Sequence, residues 1–520
     1  MTLHQLPTEI ILQIISLLTA HDYTQLVLVC KSWYCLFIPH LYHHVMLPLN
    51  DYCDCTYGHM RSSRDLPVRR FTHAVIENPA LALMIHSLEL YPSDCKGKWR
   101  NRPPLEPLAE EKYRASMLPY GQAKRKHRRK FHAWRRDLKH RSERQDWYRY
   151  SYYHEDAWLA LLLVQVKNLE KLAIELPEER NHTEPTDHQK NSVHFERVIQ
   201  WASSSKLGIL THLTHVSLTN GPCFWEMGTA VDAVPLNRLI PFLRIPSLRK
   251  LYVRNPCDRS PLHLPKDLVL PITHLDIEWP RERLPNLPRL LERCSQLESF
   301  TLEQDELHNE HSDSLPDLSL LYPPLRKSLF SLRYLNLTFD SGRVWQDAVI
   351  PRPTFLGTLA DFPNLDSVHM RWANLLPFLR NRAYDPSTPL WKLLPRSLTH
   401  LYIDDCLIQC SSTLCMELES LMKQFPGNVP LLQTLYLRFA AREQEPGQGC
   451  LECLKRWSTR REMQPDLVAE SLLQNLQHDF GTLGIAFRII EREKNVPFAQ
   501  DHAIRKKWPR GDSGKIRVLN

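Results

Sequence analysis

The stretch PNLPRLLERCSQLESFTL, which runs from Pro285 to Leu302, begins with the spacing of a helix and ends with that of a strand. Apolar residues in its first part recur at helical intervals. In its last part Phe300 and Leu302 alternate as the inward residues of a strand do, and Leu297 anchors the turn into that strand. The stretch therefore predicts a helix that runs into a strand, and the strand part follows the pattern L-x-x-L-x-L.

The same pattern, with other apolar residues allowed, recurs along most of the chain and indicates a repeat. From Leu213 onward the copies are 24 to 35 residues apart. Pattern and spacing resemble degenerate leucine-rich repeats, although the Asn of regular repeats is mostly missing. Each unit would be a strand and a return segment stacked into an α/β solenoid, whereas a non-repetitive α/β domain is the alternative. The copies are Ile85-Leu88-Leu90, Leu169-Leu172-Ile174, Leu213-Val216-Leu218, Leu248-Leu251-Val253, Ile272-Leu275-Ile277, Leu297-Phe300-Leu302, Leu332-Leu335-Leu337, Leu365-Val368-Met370, Leu398-Leu401-Ile403 and Leu432-Leu435-Leu437.

Residues that alternate with the inward leucines would line the concave face of the sheet and form a candidate surface for a protein substrate. Tyr and Arg are enriched at binding hot spots, which favours this interpretation. For any single residue a solvated sheet face is the simpler explanation, so the candidates are proposed as a set. They are Tyr91, Tyr252, Arg254, His369, Arg371, Tyr402, Tyr436 and Arg438.

The stretch LPTEIILQIISLL, from Leu6 to Leu18, predicts an N-terminal helix that is apolar on two sides. Thr8 is a plausible cap of this helix. The next stretch, HDYTQLVLVCKSW, predicts a second helix capped by Asp22, with Gln25 completing a capping box, and Pro39 marks a bend before a third short helix. Three short helices cannot enclose this much apolar surface, so either the rest of the chain or another protein must cover it.

These N-terminal residues resemble the F-box, a motif that binds a Skp-family adaptor and through it a cullin–RING ubiquitin ligase. The resemblance covers roughly residues 3–47 and fills nearly every expected apolar position in order. An N-terminal cap on the following domain is the alternative. The resemblance implies that a set of residues contacts the adaptor or supports the contacting surface, namely Leu6, Pro7, Ile10, Ile14, Leu26, Val29 and Trp33.

The sequence as a whole predicts an α/β protein with an N-terminal three-helix F-box followed by an irregular leucine-rich-repeat-like α/β solenoid. We expect the F-box at residues 1–47, a linker with the first solenoid segment at 48–83, and the solenoid at 84–490. The solenoid contains a basic insertion at about 95–153, and a polar C-terminal tail follows at 491–520.

Positive charge is concentrated in the insertion. Residues 121–150 carry twelve Lys or Arg against three acids, a local charge of +9, whereas the whole chain carries +8. The rest of the chain is therefore nearly neutral. A solvated loop, a nuclear localisation signal at Lys124 to Lys130, and binding of nucleic acid or an acidic substrate all remain open. Trp134, Trp147 and the tyrosines from Tyr148 to Tyr153 could stack on bases, although the tyrosines are better explained as the start of the helix that leads to the apolar run.

Motifs of catalysis and cofactor binding are missing from the sequence. No P-loop, GxSxG, HExxH or glycine-rich dinucleotide loop occurs, and only 15 of the 520 residues are Gly. Cys53, Cys55 and His59 form one weak metal pattern, and Cys450 and Cys453 form a lone CxxC; free thiols in loops are the preferred interpretation of both. We therefore expect no catalytic site, no cofactor and no metal.

The predicted function is that of a non-catalytic substrate-recognition subunit of a Skp–cullin–F-box ubiquitin ligase. Its partners would be a Skp-family adaptor, the cullin–RING ligase and an unknown protein substrate. The alternatives are an interaction scaffold that binds no cullin and, less favoured, a nucleic-acid-binding protein that acts through the basic insertion. The longest apolar run, Ala157–Val166, fits one buried helix, and no secretory signal is recognised, so we expect the cytoplasm or nucleus and no membrane partner.

Overall fold

The computed structural model divides the chain into two compact units. The first comprises Met1–Asp232 and Pro241–Leu248, and the second comprises Ala233–Ile240 and Arg249–Arg510. Among the residues that the structure describes, no helix is long and apolar enough to cross a membrane. The described residues are 6–49, 67–92, 111–114, 117, 131–135, 137–138, 147–176, 193–204, 207–220, 234–258, 262–265, 268–278, 284–305, 317–340, 355–377, 388–406, 411–439 and 467–489.

The first unit begins with three helices. Hydrogen bonds fix the start of the second one, because the Thr19 side chain accepts from the Asp22 amide and the Asp22 carboxylate accepts from the Thr19 amide at 2.7 Å. The predicted capping box of Asp22 with Gln25 is therefore wrong, since Asp22 lies in the first turn and not at the cap. The helices are α1 (Thr8–Leu17), α2 (Ala20–Leu26) and α3 (Lys31–His43).

The helix boundaries differ from the predicted ones in three further places. Thr8 is the first residue of α1, and Pro7 occupies the cap position. The predicted second helix is divided, because α2 ends at Leu26 and Cys30 caps α3. Pro39 lies inside α3 and does not mark the start of another helix. The chain thus turns between α2 and α3, and this turn presents Val29 at the surface.

The rest of the first unit consists of parallel strands and the helices that connect them. The strands pair in chain order and are β1 (His44–Leu49), β2 (Ser87–Pro92), β3 (Lys171–Leu176) and β4 (His215–Asn220). The helices are Pro67–Glu77, Pro79–Met84, Trp147–Gln165 and Val193–Ser203. The apolar run Ala157–Val166 is buried apart from Gln165, because its helix packs against Pro67–Glu77 on one side and Val193–Ser203 on another.

The second unit repeats the same parallel arrangement. Its strands in chain order are β5 (Val234–Pro235), β6 (Lys250–Arg254), β7 (Pro256–Cys257), β8 (His274–Glu278), β9 (Ser299–Asp305), β10 (Tyr334–Asp340), β11 (Ser367–Arg371), β12 (His400–Cys406), β13 (Thr434–Phe439) and β14 (Ala486–Ile489). β5 pairs with β7, and the others pair in parallel in the order β6-β8-β9-β10-β11-β12-β13-β14. The α-helices are Leu287–Leu291, Tyr322–Leu325, Trp372–Leu375, Leu390–Leu393, Ser411–Lys423 and Leu467–Thr482, and the helix Leu236–Leu243 is divided between the units at Pro241.

The repeat leucines form the cores of both units. Every position of the ten predicted copies is buried, and none is more than 3% exposed. Burial of this kind follows from the alternation of strand side chains, which sends both residues of each L-x-L to one face. Parallel strands also require a return segment between copies, and helices supply most of these segments, although no helix is described between β6 and β8 or between β10 and β11. The predicted fold class, N-terminal helices followed by an α/β leucine-rich-repeat-like solenoid, is confirmed.

Two strands extend the repeat beyond the predicted copies. β1 follows the pattern Tyr42-x-x-Val45-x-Leu47, and Val45 pairs in register with Leu88 of β2. β14 corresponds to the predicted last strand IAFRII at residues 485–490. Its first repeat position is Gly484, whose φ of +78° favours glycine over leucine.

Polar side chains connect successive repeats on the turn before each strand. In five repeats the residue directly before the first apolar position donates a hydrogen bond to a carbonyl of the preceding repeat. These bonds satisfy backbone carbonyls that take no part in the hydrogen bonding between strands. They also hold the turn of one repeat against the turn of the next. They are Asn168 to Leu83, Ser247 to Leu213, Ser331 to Leu297, Asn364 to Phe330 and Ser397 to Leu365, at 2.6–2.9 Å.

Part of the basic insertion is packed into the first unit. Trp134 is fully buried, and its indole N–H donates to the Ala157 carbonyl at 2.9 Å. Asp137 Oδ2 lies 2.8 Å from His194 Nε2, and Leu138 is buried. These residues therefore belong to the core and not to a solvated loop. The candidate localisation signal, Lys124 to Lys130, lies outside the described residues.

Candidate functional site

Large apolar side chains are exposed on the N-terminal helices. Leu17 at the end of α1 is 83% exposed, and Leu28 and Val29 in the turn between α2 and α3 are 78% and 61% exposed. Ile10 and Tyr34 are also exposed. A group of this size on three short helices is typical of a surface that another protein covers.

The other side of the same helices is packed against the chain. Ile15 of α1 is buried, as are Phe37 and Ile38 of α3. The Tyr23 hydroxyl donates to the Ile15 carbonyl at 2.6 Å, and the Trp33 ring lies edge-on to Phe37 with centroids 5.9 Å apart. The two apolar sides of α1 thus have different roles, since one forms the small core and the other faces outward.

The residues predicted to bind an adaptor lie on or beside the exposed side, and none is fully buried. Pro7, Ile10 and Val29 are exposed. The half-buried residues are Leu6, Ile14, Leu26 and Trp33. Their role in adaptor binding stays a prediction. Leu17 belongs to the apolar stripe of α1, but Leu28 and Tyr34 were missed because the predicted second helix placed them off its apolar face.

The N-terminal helices are joined to the repeat sheet without a linker. α3 ends at His43 and β1 begins at His44. The His43 ring stacks on His86 with centroids 4.7 Å apart, and Tyr42 stacks on Phe71 at 6.2 Å. The exposed apolar surface is therefore held in a defined orientation relative to β1 and β2.

The sheet of the second unit carries the candidate substrate residues in rows. One row, in register across the strands, is Tyr252, Asp276, Thr301, Asn336, His369, Tyr402 and Tyr436. The next row lies two residues further along each strand. It comprises Arg254, Glu278, Glu303 and Thr338 on β6, β8, β9 and β10, and Arg371 and Asp404 on β11 and β12. Both rows lie on the face opposite the leucines, as the alternation of the strands requires.

A buried carboxylate organises the end of these rows. Asp404 Oδ2 accepts from Arg438 at 2.5 Å and lies 2.7 Å from Nε2 of His369. Burial alone would raise the pKa of Asp404, but Arg438 and His369 outweigh it and hold the pKa at about 2. Tyr402 and Tyr436 stack beside them with centroids 4.4 Å apart. The arrangement is a satisfied ion-pair network with an aromatic wall.

The candidate substrate residues differ in depth, which the alternation in sequence did not predict. His369, Arg371 and Tyr402 are buried. Tyr252, Arg254, Tyr436 and Arg438 are half-buried, and the side chain of Tyr91 lies outside the described residues. Alternation gives the direction of a side chain but not how closely its neighbours pack over it. The substrate-binding role of the set stays a prediction.

Potential metal ligands are not clustered in the described part of the chain. No group of three or more His, Cys, Asp or Glu is placed there to hold a metal ion. The described cysteines, Cys30, Cys35, Cys257, Cys294, Cys406 and Cys415, carry free thiols. The weak pattern of Cys53, Cys55 and His59 and the pair Cys450 and Cys453 lie outside the described residues.

Comparison with known families agrees with this organisation. A family model described as a leucine-rich repeat domain matches residues 68–442, and a model described as F-box-like matches residues 3–48. No curated protein matches the sequence. The predicted resemblance to an F-box followed by leucine-rich repeats is confirmed. Both kinds of domain are typically interaction modules without catalytic activity.

Proposed function

We propose that this chain, which belongs to the family of leucine-rich repeat domain proteins, is the substrate-recognition subunit of a Skp–cullin–F-box ubiquitin ligase. The observation that carries the proposal is the uncovered apolar surface of an F-box-like segment on a chain of leucine-rich repeats. The two domains support a substrate-receptor type of role, with the F-box-like segment binding a Skp-type adaptor and the repeats binding protein.

The proposed mechanism is proximity. The adaptor binds α1 to α3 and links the chain to a cullin–RING ligase, while the repeat sheet binds the substrate. A ubiquitin-loaded enzyme elsewhere in the complex then meets a substrate lysine at high effective concentration. This chain would contribute no reacting group, which agrees with the absence of catalytic motifs from its sequence. We further propose that it acts in the cytoplasm or nucleus.

The exposed side chains account for part of the free energy that adaptor binding needs. Complete burial of a Val, Leu, Ile or Phe side chain is worth about 1.5–3 kcal/mol. Five exposed apolar residues, Ile10, Leu17, Leu28, Val29 and Tyr34, are available. Their gross contribution is at most roughly 10 kcal/mol, and the lower estimate of the entropic cost of association, about 4 kcal/mol, leaves about 6 kcal/mol, which corresponds to a dissociation constant of tens of micromolar.

Adaptor binding is tested by co-purification of the chain with a Skp-family adaptor and a cullin. The double variant Ile10→Ala with Val29→Ala removes two exposed residues and leaves the small core intact, so it should lose the adaptor. A matched control is Phe330→Ala with Leu431→Ala, which removes two exposed apolar residues of the second unit. Equal adaptor recovery from both double variants would contradict the proposal. Recovery of the adaptor without a cullin would instead identify an adaptor-bound scaffold.

Nucleic-acid binding is a weaker candidate because one of the aromatic residues expected to stack on bases is not accessible. Trp134 is fully buried and its indole N–H is already bonded to the Ala157 carbonyl, so it cannot stack on bases. The local charge of +9 in residues 121–150 remains as the observation in its favour. Salt-dependent binding of unrelated DNA that is lost on deletion of residues 121–150 would support this candidate.

A further inference from the structure

A carboxylate is buried on the face of the first unit's sheet that lies opposite the leucines. Leu88 and Leu90 of β2 point into the leucine core, so Glu89 between them points to the opposite face. Glu89 is nevertheless only 7% exposed. The residues in register with it on the neighbouring strands are Met46 on β1 and Ala173 on β3.

The buried oxygen of this carboxylate, Oε2, has no hydrogen-bond partner in the described part of the chain. His44 Nε2 lies 3.7 Å away, too far for a hydrogen bond, and Nδ1 of the same ring lies 2.8 Å from the Ser87 hydroxyl. Burial raises the pKa of Glu89 to about 7. Partial burial, His43 and Lys171 lower the pKa of His44, so its ring is a poor internal cation for Glu89 at neutral pH.

The second unit shows how this fold satisfies a buried carboxylate from within. Asp404 also faces away from the leucines, but it accepts from Arg438 and lies within hydrogen-bond distance of His369. Among the described residues, Glu89 has no comparable pair of donors. A buried carboxylate without hydrogen-bond donors destabilises the fold. Polar groups that are buried at such a cost to stability are concentrated at functional sites. The missing donors would then come from another molecule.

We propose that Glu89 anchors a recognition site for one basic side chain, Lys or Arg, of the protein substrate. The inference rests on the proposed function, because it assigns a substrate feature to the repeat sheet. Charged N–H groups satisfy a buried carboxylate better than neutral donors do, and a guanidinium can bind it with two parallel hydrogen bonds.

The neighbouring residues set the shape and charge of the site. Ala173, in register on β3, presents only a methyl group beside the carboxylate. Lys171 and His44 lie on the same face as Glu89, because both are in register with Ser87, which stands two residues before Glu89 on β2. The ammonium group of Lys171 would repel a densely basic segment, whereas the His44 ring is largely neutral at neutral pH. The expected ligand is therefore a single Lys or Arg flanked by neutral residues.

The site is tested with a displayed library of random decapeptides, panned on the full chain in the presence of a Skp-family adaptor. Panning is repeated with Glu89→Gln and with the control Glu170→Gln, which removes an exposed acid of the same unit that pairs with His86. Peptides enriched on the unmodified chain are synthesised, and their dissociation constants are measured against all three proteins by fluorescence anisotropy.

The expected result is enrichment of peptides that share one Lys or Arg. Their affinity should fall about 10- to 100-fold with Glu89→Gln, which is the range for loss of a hydrogen bond to a charged group, and should change little with Glu170→Gln. Replacing the shared basic residue of the peptide by Gln should cause a similar loss. The two substitutions together should cost no more than either alone, because each removes the same interaction.

Several outcomes would overturn the inference. They are the absence of enriched peptides, enrichment without a basic position, affinity unchanged by Glu89→Gln, and equal losses with Glu89→Gln and Glu170→Gln. Hydrogen exchange of β2 amides reports whether Glu89→Gln remains folded, so lost binding cannot be mistaken for unfolding. Adaptor recovery from the same preparations separates the two proposals. If the adaptor is bound and the peptide result is negative, only the inference about Glu89 fails.

Discussion

Replacing Glu89 by Gln should make the first unit more stable at neutral pH, although it removes a side chain from the proposed substrate site. Burial shifts the pKa of Glu89 from its ordinary value of 4.5 to about 7. Each unit of such a shift corresponds to about 1.4 kcal/mol, so the ionised carboxylate destabilises the folded state by about 3 kcal/mol at pH 8. A neutral amide avoids this penalty.

The gain should be somewhat smaller than the penalty removed. The amide of Gln also lacks hydrogen-bond partners at this position, and a buried unpaired polar group costs about 1–3 kcal/mol. We therefore expect a net stabilisation of about 1–2 kcal/mol above pH 7. A Glu89→Met variant has no polar end and should show more of the gain.

The pH dependence identifies the cause of the effect. Below about pH 4.5 the carboxyl is protonated in both the folded and the unfolded chain, and its raised pKa then has no influence on stability. Between pH 4.5 and 7 the unfolded chain releases the proton and the folded chain retains it, so stability is lost as pH rises. The advantage of Glu89→Met should therefore grow across this window and become constant above it.

The assay must report on the first unit alone, because the chain contains two compact units that need not unfold together. Hydrogen exchange of the β2 amides, measured by mass spectrometry over a urea series at pH 5, 6, 7 and 8, provides such a local free energy of unfolding. Glu170→Gln serves as the exposed control. If Glu89→Met is no more stable than the unmodified chain at pH 8, or if its advantage is the same at pH 5, the account of the buried carboxylate is wrong.

Three further changes test other parts of the structure. Arg438→Met leaves Asp404 buried with one partner fewer and should destabilise the second unit by about 3–5 kcal/mol, and adding Asp404→Asn should recover part of this loss in urea unfolding. Ser331→Ala removes a bond between turns and should cost about 1 kcal/mol by the same measurement, with no loss expected from a partly exposed serine outside these turns. Trp134→Ala should destabilise the first unit by about 3–5 kcal/mol if the insertion is part of its core, whereas an unchanged urea midpoint would show that it is not.

The repeats could be predicted because their signal is redundant. Each copy places three apolar residues at fixed spacing. A strand that must bury two of them can be placed on the sequence in few ways. β1 was missed because Tyr42 stands where the other copies have Leu or Ile. A search that allowed aromatic residues at the first position would have found it. β14 lacks the first Leu for a different reason, since the backbone at Gly484 requires a positive φ.

Local hydrogen bonding and burial depth were harder to predict. Thr19 and Asp22 lie three residues apart, and either is an acceptable cap, so the choice depends on where the preceding helix ends. Glu89 occupies the variable position of an L-x-L, where a charged residue normally faces water. Its exposure of only 7% cannot be predicted from the alternation along a single strand.

For a chain with the proposed function, the direct passage from α3 into β1 would have a consequence for the choice of modified lysines. Because no flexible spacer separates His43 from His44, an adaptor seated on the helices would fix the distance from the catalytic enzyme to the first strands. The fixed distance would then determine which lysines of a bound substrate the catalytic enzyme can reach. Inserting a few Gly-Ser pairs at this junction would leave both bound partners in place and redistribute ubiquitin over the substrate surface.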